Sequence, residues 1–289
     1  MDIIHSDKRI EISGVSHFDA AASCMCGQAF RWKKTDRGIF GVVGDKPMLL
    51  KQNGQSLILE PCNEADIGFW INYFDLGRNY ESIERLIADD DILSVCVPYS
   101  LGIRVFNQPP FEALISFIIS ANNNIKRISG IIERLCVLAG EYREGVYPYY
   151  AFPTPEAVCA LTEEQLTSIG TGYRAPFIKK SAQIIADGYD LEKLRSIPLD
   201  EARQELLKFP GVGPKVADCV LLFSLGHTDA FPIDVWMGRA MKELYFDRQE
   251  PTKKEMEEKV KSLGQYSGII QQYIFHYARN VQIGKKQPV

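Results

Sequence analysis

The stretch Phe209-Pro210-Gly211-Val212-Gly213-Pro214-Lys215-Val216-Ala217 constrains this chain more than any other, because it turns one helix back on another around a Gly-x-Gly corner. Upstream, Leu199 to Lys208 is rich in strong helix formers, and downstream Val216 to Leu225 is an apolar run long enough for a buried helix. The two glycines admit left-handed backbone dihedrals, while Pro210 and Pro214 set the entry and the first turn of the second helix. Such a corner leaves amide N–H groups facing outward at a helix N-terminus, where an anion such as a phosphate is favoured. Taken alone, the pattern suits an ordinary helix connection better, with Lys215 as a solvated side chain or a simple phosphate contact.

The 289 residues are enough for one large or two ordinary domains, each with a real core. No apolar run approaches the roughly 20 residues of a membrane helix, and Met1-Asp-Ile-Ile-His-Ser lacks the marks of a signal peptide. The expectation is a soluble intracellular protein without a membrane partner, in the cytoplasm or nucleoid if its source is prokaryotic. Seven cysteines, an odd number in a large chain, argue for reduced thiols rather than a disulfide scaffold. Cys24-Met25-Cys26 has no matching Cys or His cluster nearby, so no metal site is expected. A net charge of −4 argues mildly against a nucleic-acid partner. A phosphate backbone meets only one face of a protein, so local cations carry that question.

From Arg9 to about Glu60 the pattern is strand-like: Ile39–Val43, Met48–Leu50 and Leu57–Leu59 are separated by Asp-Arg-Gly, Gly-Asp-Lys-Pro and Asn-Gly turns. Residues from about Glu64 to Gly102 turn helical. Phe111–Ser120 is apolar almost all round, the mark of a helix inside a domain. Asn122-Asn123-Asn124 ends it, and the next helix starts with Lys126 and Arg127 exposed, where cations oppose the macrodipole unless an anion is near. After a Tyr- and Pro-rich connection (147–155), Leu161–Ile169 reads as a helix. Tyr173 and Arg174 on a Gly-rich turn suit base stacking and phosphate binding, or a surface loop with one packed aromatic. Asp234 stands at the N-cap of a helix beginning at Val235, a role that needs no function. Thr252 and Glu255 form a capping-box pattern. In the last helix Gln271 and Phe275 share one face, suited to the wall of a flat polar pocket or to plain core packing.

The order helix, Gly-Val-Gly hairpin, lysine, helix, then an aspartate nineteen residues after the lysine (215 to 234) resembles the helix-hairpin-helix DNA glycosylases. Within them the chain is most similar to the eukaryotic-type branch of 8-oxoguanine DNA glycosylase/lyases. Gly27-Gln-Ala-Phe-Arg-Trp32, Gly102-Ile-Arg104, Pro110-Phe-Glu112, Asn122-Asn-Asn-Ile125, Gly172-Tyr-Arg-Ala175, Lys215-Val-Ala-Asp-Cys219 and Pro232-Ile-Asp-Val235 fall in that family's order. No cysteine follows Cys219, so the four-cysteine iron–sulfur loop of other branches is absent from the sequence.

The resemblance implies an α+β fold: an antiparallel domain over 1–105 that contributes to the base pocket, then a mostly helical catalytic domain over 106–289. It implies removal of 8-oxoguanine, preferably opposite cytosine, from double-stranded DNA by a monomer with AP lyase activity. No cofactor is implied beyond a monovalent cation on the hairpin carbonyls when DNA is bound. Lys215 would attack the anomeric carbon and form a Schiff base, from which β-elimination breaks the strand; the attack requires a neutral amine. Asp234 would stabilise the positive charge that develops on the sugar. The target base must be flipped out of the stack. The carbonyl of Gly27 would accept the N7–H that only the oxidised base carries, Gln271 would read the Watson–Crick edge, and Phe275 and Cys219 would sandwich the ring, with Pro232 beside them. Asn122 would fill the vacated space, Tyr173 would wedge the stack, and Arg127 and Arg174 would bind the abandoned cytosine. Gly211, Gly213 and Val216 would grip the strand. Trp236 departs from the family, whose close members carry a histidine near a phosphate there; an indole N–H donates one bond but holds no charge. The competing readings are an alkylpurine glycosylase of the same fold, which uses aspartate and water, and a non-catalytic hairpin module that only grips phosphate.

Overall fold

The computed structural model describes residues 1–6 and 8–283. Strands β1 (Asp2–Ser6), β2 (Arg9–Ser13), β3 (Trp32–Thr35), β4 (Gly38–Val43), β5 (Lys46–Asn53) and β6 (Ser56–Glu60) form one antiparallel sheet in the order β1-β2-β6-β5-β4-β3. Val43 pairs with Lys46 across Gly44-Asp45, and Asn53 pairs with Ser56 across Gly54-Gln55. Both loop glycines have φ +58°, which a two-residue hairpin loop needs at its first central position if it is to match the twist of its strands.

Met48-Leu49-Leu50 is buried without alternation because both faces of the sheet are covered. Met48 and Leu50 pack with Leu57, Trp70 and Phe74 on one side, and Leu49 packs with Phe40, Val42 and Tyr149 on the other. Tyr149 belongs to a two-stranded hairpin, β7 (Tyr142–Arg143) and β8 (Tyr149–Tyr150), of which β8 falls in the stretch 147–155 read from sequence as a plain connection and β7 just before it. One element departs from the strand-like reading of Arg9 to about Glu60, and one strand precedes that stretch. Ala20–Met25 is helical, with the Asp19 side chain accepting from Ala22 N at 2.8 Å. Strand β1 is exposed at all five residues, so it offers no hydrophobic alternation to read.

The remainder is mostly helical. Helix Pro110–Ser120 is buried at every residue from Glu112 to Ser120 and sits among helices Ile125–Ala139, Ala175–Ala186 and Pro214–Phe223. The capping box at Thr252 and Glu255 forms as read. The two main cores interleave along the chain: Trp70 and Tyr73 of helix Ile67–Tyr73 join the sheet core, whereas Ile83 and Ile87 of helix Tyr80–Ala88 join the helical one. Among the described residues, no helix is long and apolar enough to cross a membrane.

Glu84 ties these parts together. It is buried, and its carboxylate accepts from Gly102 N at 2.8 Å and from the Tyr273 hydroxyl on the last helix at 2.8 Å, and pairs with His17 Nδ1. Glu84→Ala would strand two buried donors. The expected cost is about 2–5 kcal/mol, read as a lower urea midpoint with an unchanged slope; a loss below about 1 kcal/mol would contradict this account.

Candidate active site

The hairpin folds as its sequence requires. Helix Leu199–Leu206 leads into the corner, Gly211 adopts φ +79°, and helix Pro214–Phe223 follows with Pro214 in its first turn. A Cβ on Gly211 would lie 2.7 Å from the Phe177 ring, so sterics and backbone both demand glycine there. The two hairpin helices are joined by Arg203 Nε donating to Asp218 Oδ1 at 2.7 Å. Burial pushes the Asp218 carboxyl up, and the Arg203 guanidinium pulls it back.

Lys215 is the second residue of the second helix, half-buried, and donates from Nζ to Ser120 Oγ at 3.2 Å. The Ser120 hydroxyl donates to the Phe117 carbonyl at 2.7 Å, so its oxygen is turned to accept from the lysine. The amine also stands 5.4 Å from the centre of the Phe117 ring. Asp234 caps helix Val235–Tyr245 through Oδ1, which accepts from Met237 N at 2.8 Å. The cap sets the Asp234 side chain at the N-terminal end of that helix.

Both residues line a cleft of about 860 Å³ between the hairpin, the last helix and the Gly27 segment. Gly27, Asn122, Gly211, Gly213, Val216, Cys219, Pro232, Trp236, Gln271 and Phe275 line it too. The structure therefore brings twelve of the fifteen residues singled out from the sequence around one cavity. Arg127, Tyr173 and Arg174 lie outside the lining.

Each wall has its own means of positioning. Gly27 has φ +98°, and a Cβ there would meet Ile125 Cδ1 at 2.7 Å. The neighbouring Cys26 carbonyl accepts from Arg279 Nη1 at 3.1 Å, which fastens this segment to the last helix. Gln271 Nε2 donates to the Pro232 carbonyl at 3.1 Å, so the amide faces the cleft from a buried position. Burial pushes the Cys219 thiol up to about 11, against the pull of the nearby Lys215 ammonium, so it stays a neutral, polarisable surface.

Beside the cleft, Asn122 holds φ +47° at a turn. Arg174 is buried beneath that turn, donating to the carbonyls of Ala121 (3.1 Å from Nε), Asn122 (3.4 Å) and Thr171 (3.2 Å). Four of its five N–H groups are thus engaged with backbone, one Nη2–H again on Ala121. Its guanidinium stacks on Tyr173 at 4.3 Å, and the Tyr173 ring is 60% exposed. Arg127 is exposed in the first turn of helix Ile125–Ala139, whose cap is Asn124. Trp236 has the Arg239 guanidinium 5.7 Å from its ring.

Three contributors escaped the sequence reading: Ser120, Phe117 and Gln272. Ser120 looked like the last residue of an apolar helix. Gln272 carried one available signal, as a second amide next to Gln271 on a helix with a buried stripe. The hairpin carbonyls, where a monovalent cation was expected with DNA, are partly engaged: Pro210 O accepts from Ser181 Oγ at 3.3 Å and Gly213 O from Ala217 N at 2.9 Å. Among the described residues, no group of three or more His, Cys, Asp or Glu is placed to hold a metal.

Known proteins resemble this chain in sequence and in fold. The family model described as HhH-GPD superfamily base excision DNA repair protein matches residues 115–265, and that of the 8-oxoguanine DNA glycosylase N-terminal domain matches residues 11–114. The chain is 33% identical to a probable N-glycosylase/DNA lyase of Methanothermobacter thermautotrophicus over 227 residues, which span 71% of this chain and 72% of that one. It is 32% identical over 253 residues to the N-glycosylase/DNA lyase of Saccharomyces cerevisiae, spanning 76% of this chain and 66% of the yeast protein. Among solved structures, Clostridium acetobutylicum 8-oxoguanine glycosylase/lyase, in complex with double-stranded DNA containing cytosine opposite 8-oxoG, matches with a TM-score of 0.94 at 36% identity. That match covers 98% of this chain and 99% of the other.

Proposed function

This chain belongs to the HhH-GPD superfamily of base excision DNA repair proteins, and from that membership we infer that it is a bifunctional DNA glycosylase/AP lyase that removes 8-oxoguanine from duplex DNA. The observation that carries the residue-level reading is the cleft in which Lys215, Asp234, Gln271 and Phe275 converge from three separate parts of the chain.

In this reading the Lys215 amine bonds to C1′ of the flipped nucleotide while the C1′–N9 bond breaks, its electron pair leaving with the base, which takes up a proton. Asp234 offsets the positive charge that gathers on the sugar as that bond lengthens. Opening of the sugar ring leaves a Schiff base on Lys215; loss of a C2′ proton then expels the 3′ phosphate, which is the β-elimination. An enzyme that only activated water would not need an amine in the cleft, so Lys215 favours this reading over the alkylpurine alternative.

The base would lie between Phe275 and Cys219 beside Pro232, with its Watson–Crick edge on Gln271. The Gly27 carbonyl would take the N7–H of the lesion, and normal guanine, with a lone pair at N7, would lose that bond and roughly 1–3 kcal/mol. Asn122 of the cleft lining would enter the vacated stack, and outside that lining Tyr173 would wedge it while Arg127 and Arg174 would hold the orphaned cytosine. For Arg174 this means exchanging part of its backbone bonding for the base. Gly211, Gly213 and Val216 would grip the phosphates by backbone N–H groups, and Trp236 would offer a neutral indole N–H. We further propose that the protein acts as a monomer, since every group named comes from one chain, and inside the cell, a setting consistent with its seven free thiols.

The direct test is excision from duplexes carrying 8-oxoguanine opposite each of the four bases, without added alkali. Cleaved strand is expected fastest opposite cytosine, by about tenfold or more over adenine. Equal release of 3-methyladenine would instead favour the alkylpurine reading.

A further inference from the structure

We propose that Gln272 is a positioning residue for base recognition: it holds the Gln271 amide in one orientation, so that the cleft favours purines whose Watson–Crick edge donates at N1. This rests on the reading of Gln271 as the residue that meets that edge. Gln271 and Gln272 are consecutive on the last helix, each 3% exposed, yet both line the cleft. Neighbouring helical side chains diverge by about 100°, so adjacent buried amides need a specific reason to point at one cavity.

The reason lies in their hydrogen bonds. Gln271 Nε2 donates to the Pro232 carbonyl at 3.1 Å, and a carbonyl only accepts, so this end of the amide has to be nitrogen. Gln271 Oε1 accepts from Gln272 Nε2 at 2.9 Å. The Cys26 thiol, a single donor, stands 3.2 Å from the Ser23 carbonyl and 3.7 Å from Gln272 Oε1. Burial pushes Cys26 up to about 11, so the thiol keeps that hydrogen at neutral pH. Donors and acceptors run in one direction from Gln272 through Gln271 to Pro232, the last a carbonyl that can only accept. Reversing the Gln271 amide would set oxygen against the Pro232 carbonyl and nitrogen against Gln272 Nε2, in a buried place where neither mismatch finds water.

Beyond these bonds Gln271 retains one lone pair on Oε1 and one N–H. The oxygen is thus a fixed acceptor. Guanine and 8-oxoguanine carry N1–H, whereas adenine and 8-oxoadenine carry a lone pair at N1. Gln272 contributes to selectivity by denying Gln271 the flip that would accommodate the adenine edge.

Two variants test this. Gln272→Met keeps the volume and removes the donor, and Gln272→Glu puts an acceptor where the donor stood. Single-turnover excision would be measured on duplexes with 8-oxoguanine and with 8-oxoadenine, beside strand cleavage at a ready-made abasic site that has no base to read. Excision of 8-oxoguanine is expected to fall roughly tenfold with Gln272→Met and further with Gln272→Glu. The 8-oxoguanine to 8-oxoadenine ratio should narrow, while abasic-site cleavage falls no more than about twofold. An unchanged ratio in both variants would overturn the inference, as would an equal loss of abasic-site cleavage, which marks a merely structural role. Wild-type protein inactive on 8-oxoguanine would overturn the functional reading and this inference with it; active wild type beside unaltered variants overturns the inference alone.

Discussion

Lys215→Gln is expected to abolish borohydride trapping of the protein on a duplex with 8-oxoguanine opposite cytosine, and to slow strand cleavage by at least ~1,000-fold, the order of loss when an enzyme's nucleophile is removed. Glutamine keeps the side chain polar and only one bond shorter, but has no amine to form a Schiff base. Its amide still reaches toward Ser120 Oγ, which takes the lysine bond at 3.2 Å. Glutamine is also nearly as good a helix former as lysine, so helix Pro214–Phe223 should be undisturbed. Duplex affinity and melting temperature should therefore stay close to wild type while covalent chemistry disappears. An adduct formed by the variant at wild-type yield would remove Lys215 from the mechanism. No adduct with wild-type protein would sink the lyase reading altogether.

Asp234→Asn should separate the two roles of that residue. Its Oδ1 caps helix Val235–Tyr245 by accepting from Met237 N at 2.8 Å. Asparagine caps about as well as aspartate, so stability should change by only a few tenths of a kcal/mol. What is lost is the negative charge beside the reacting sugar. A preorganised electrostatic group of this kind contributes about 2.7–4 kcal/mol, so excision should slow by ~100- to 1,000-fold. A duplex whose abasic site is already formed has no glycosidic bond left to break, and its cleavage should suffer less. Excision within about threefold of wild type, with folding intact, would return Asp234 to a cap and nothing more.

Local elements were legible wherever a single stretch of chain dictates them. The Gly-Val-Gly corner, the caps at Asp234 and Thr252, and the all-apolar helix ending at Ser120 follow from backbone freedom, short polar side chains and hydrophobic period. Elements without a local signal went unread. Strand β1 is exposed at every residue, and β7 and β8 exist because Tyr149 covers the far face of the sheet. Order along the chain also linked Lys215, Asp234, Gln271 and Phe275 to one family, but order carries no distances.

The hairpin, the family and the groups available for chemistry depend on residue type and on spacing within a few turns, so they can be read along the chain. What those groups face depends on packing between distant segments. Gly27 comes to the cleft because the Cys26 carbonyl is fastened to Arg279, 253 positions away. Lys215 meets Ser120 from 95 positions away, Arg174 spends its fork on the turn that presents Asn122, and Gln271 has its amide set by Pro232 and Gln272. Hydrogen bonds between distant segments are directional and leave no periodic trace in the chain, so their geometry exists only once the two cores have packed.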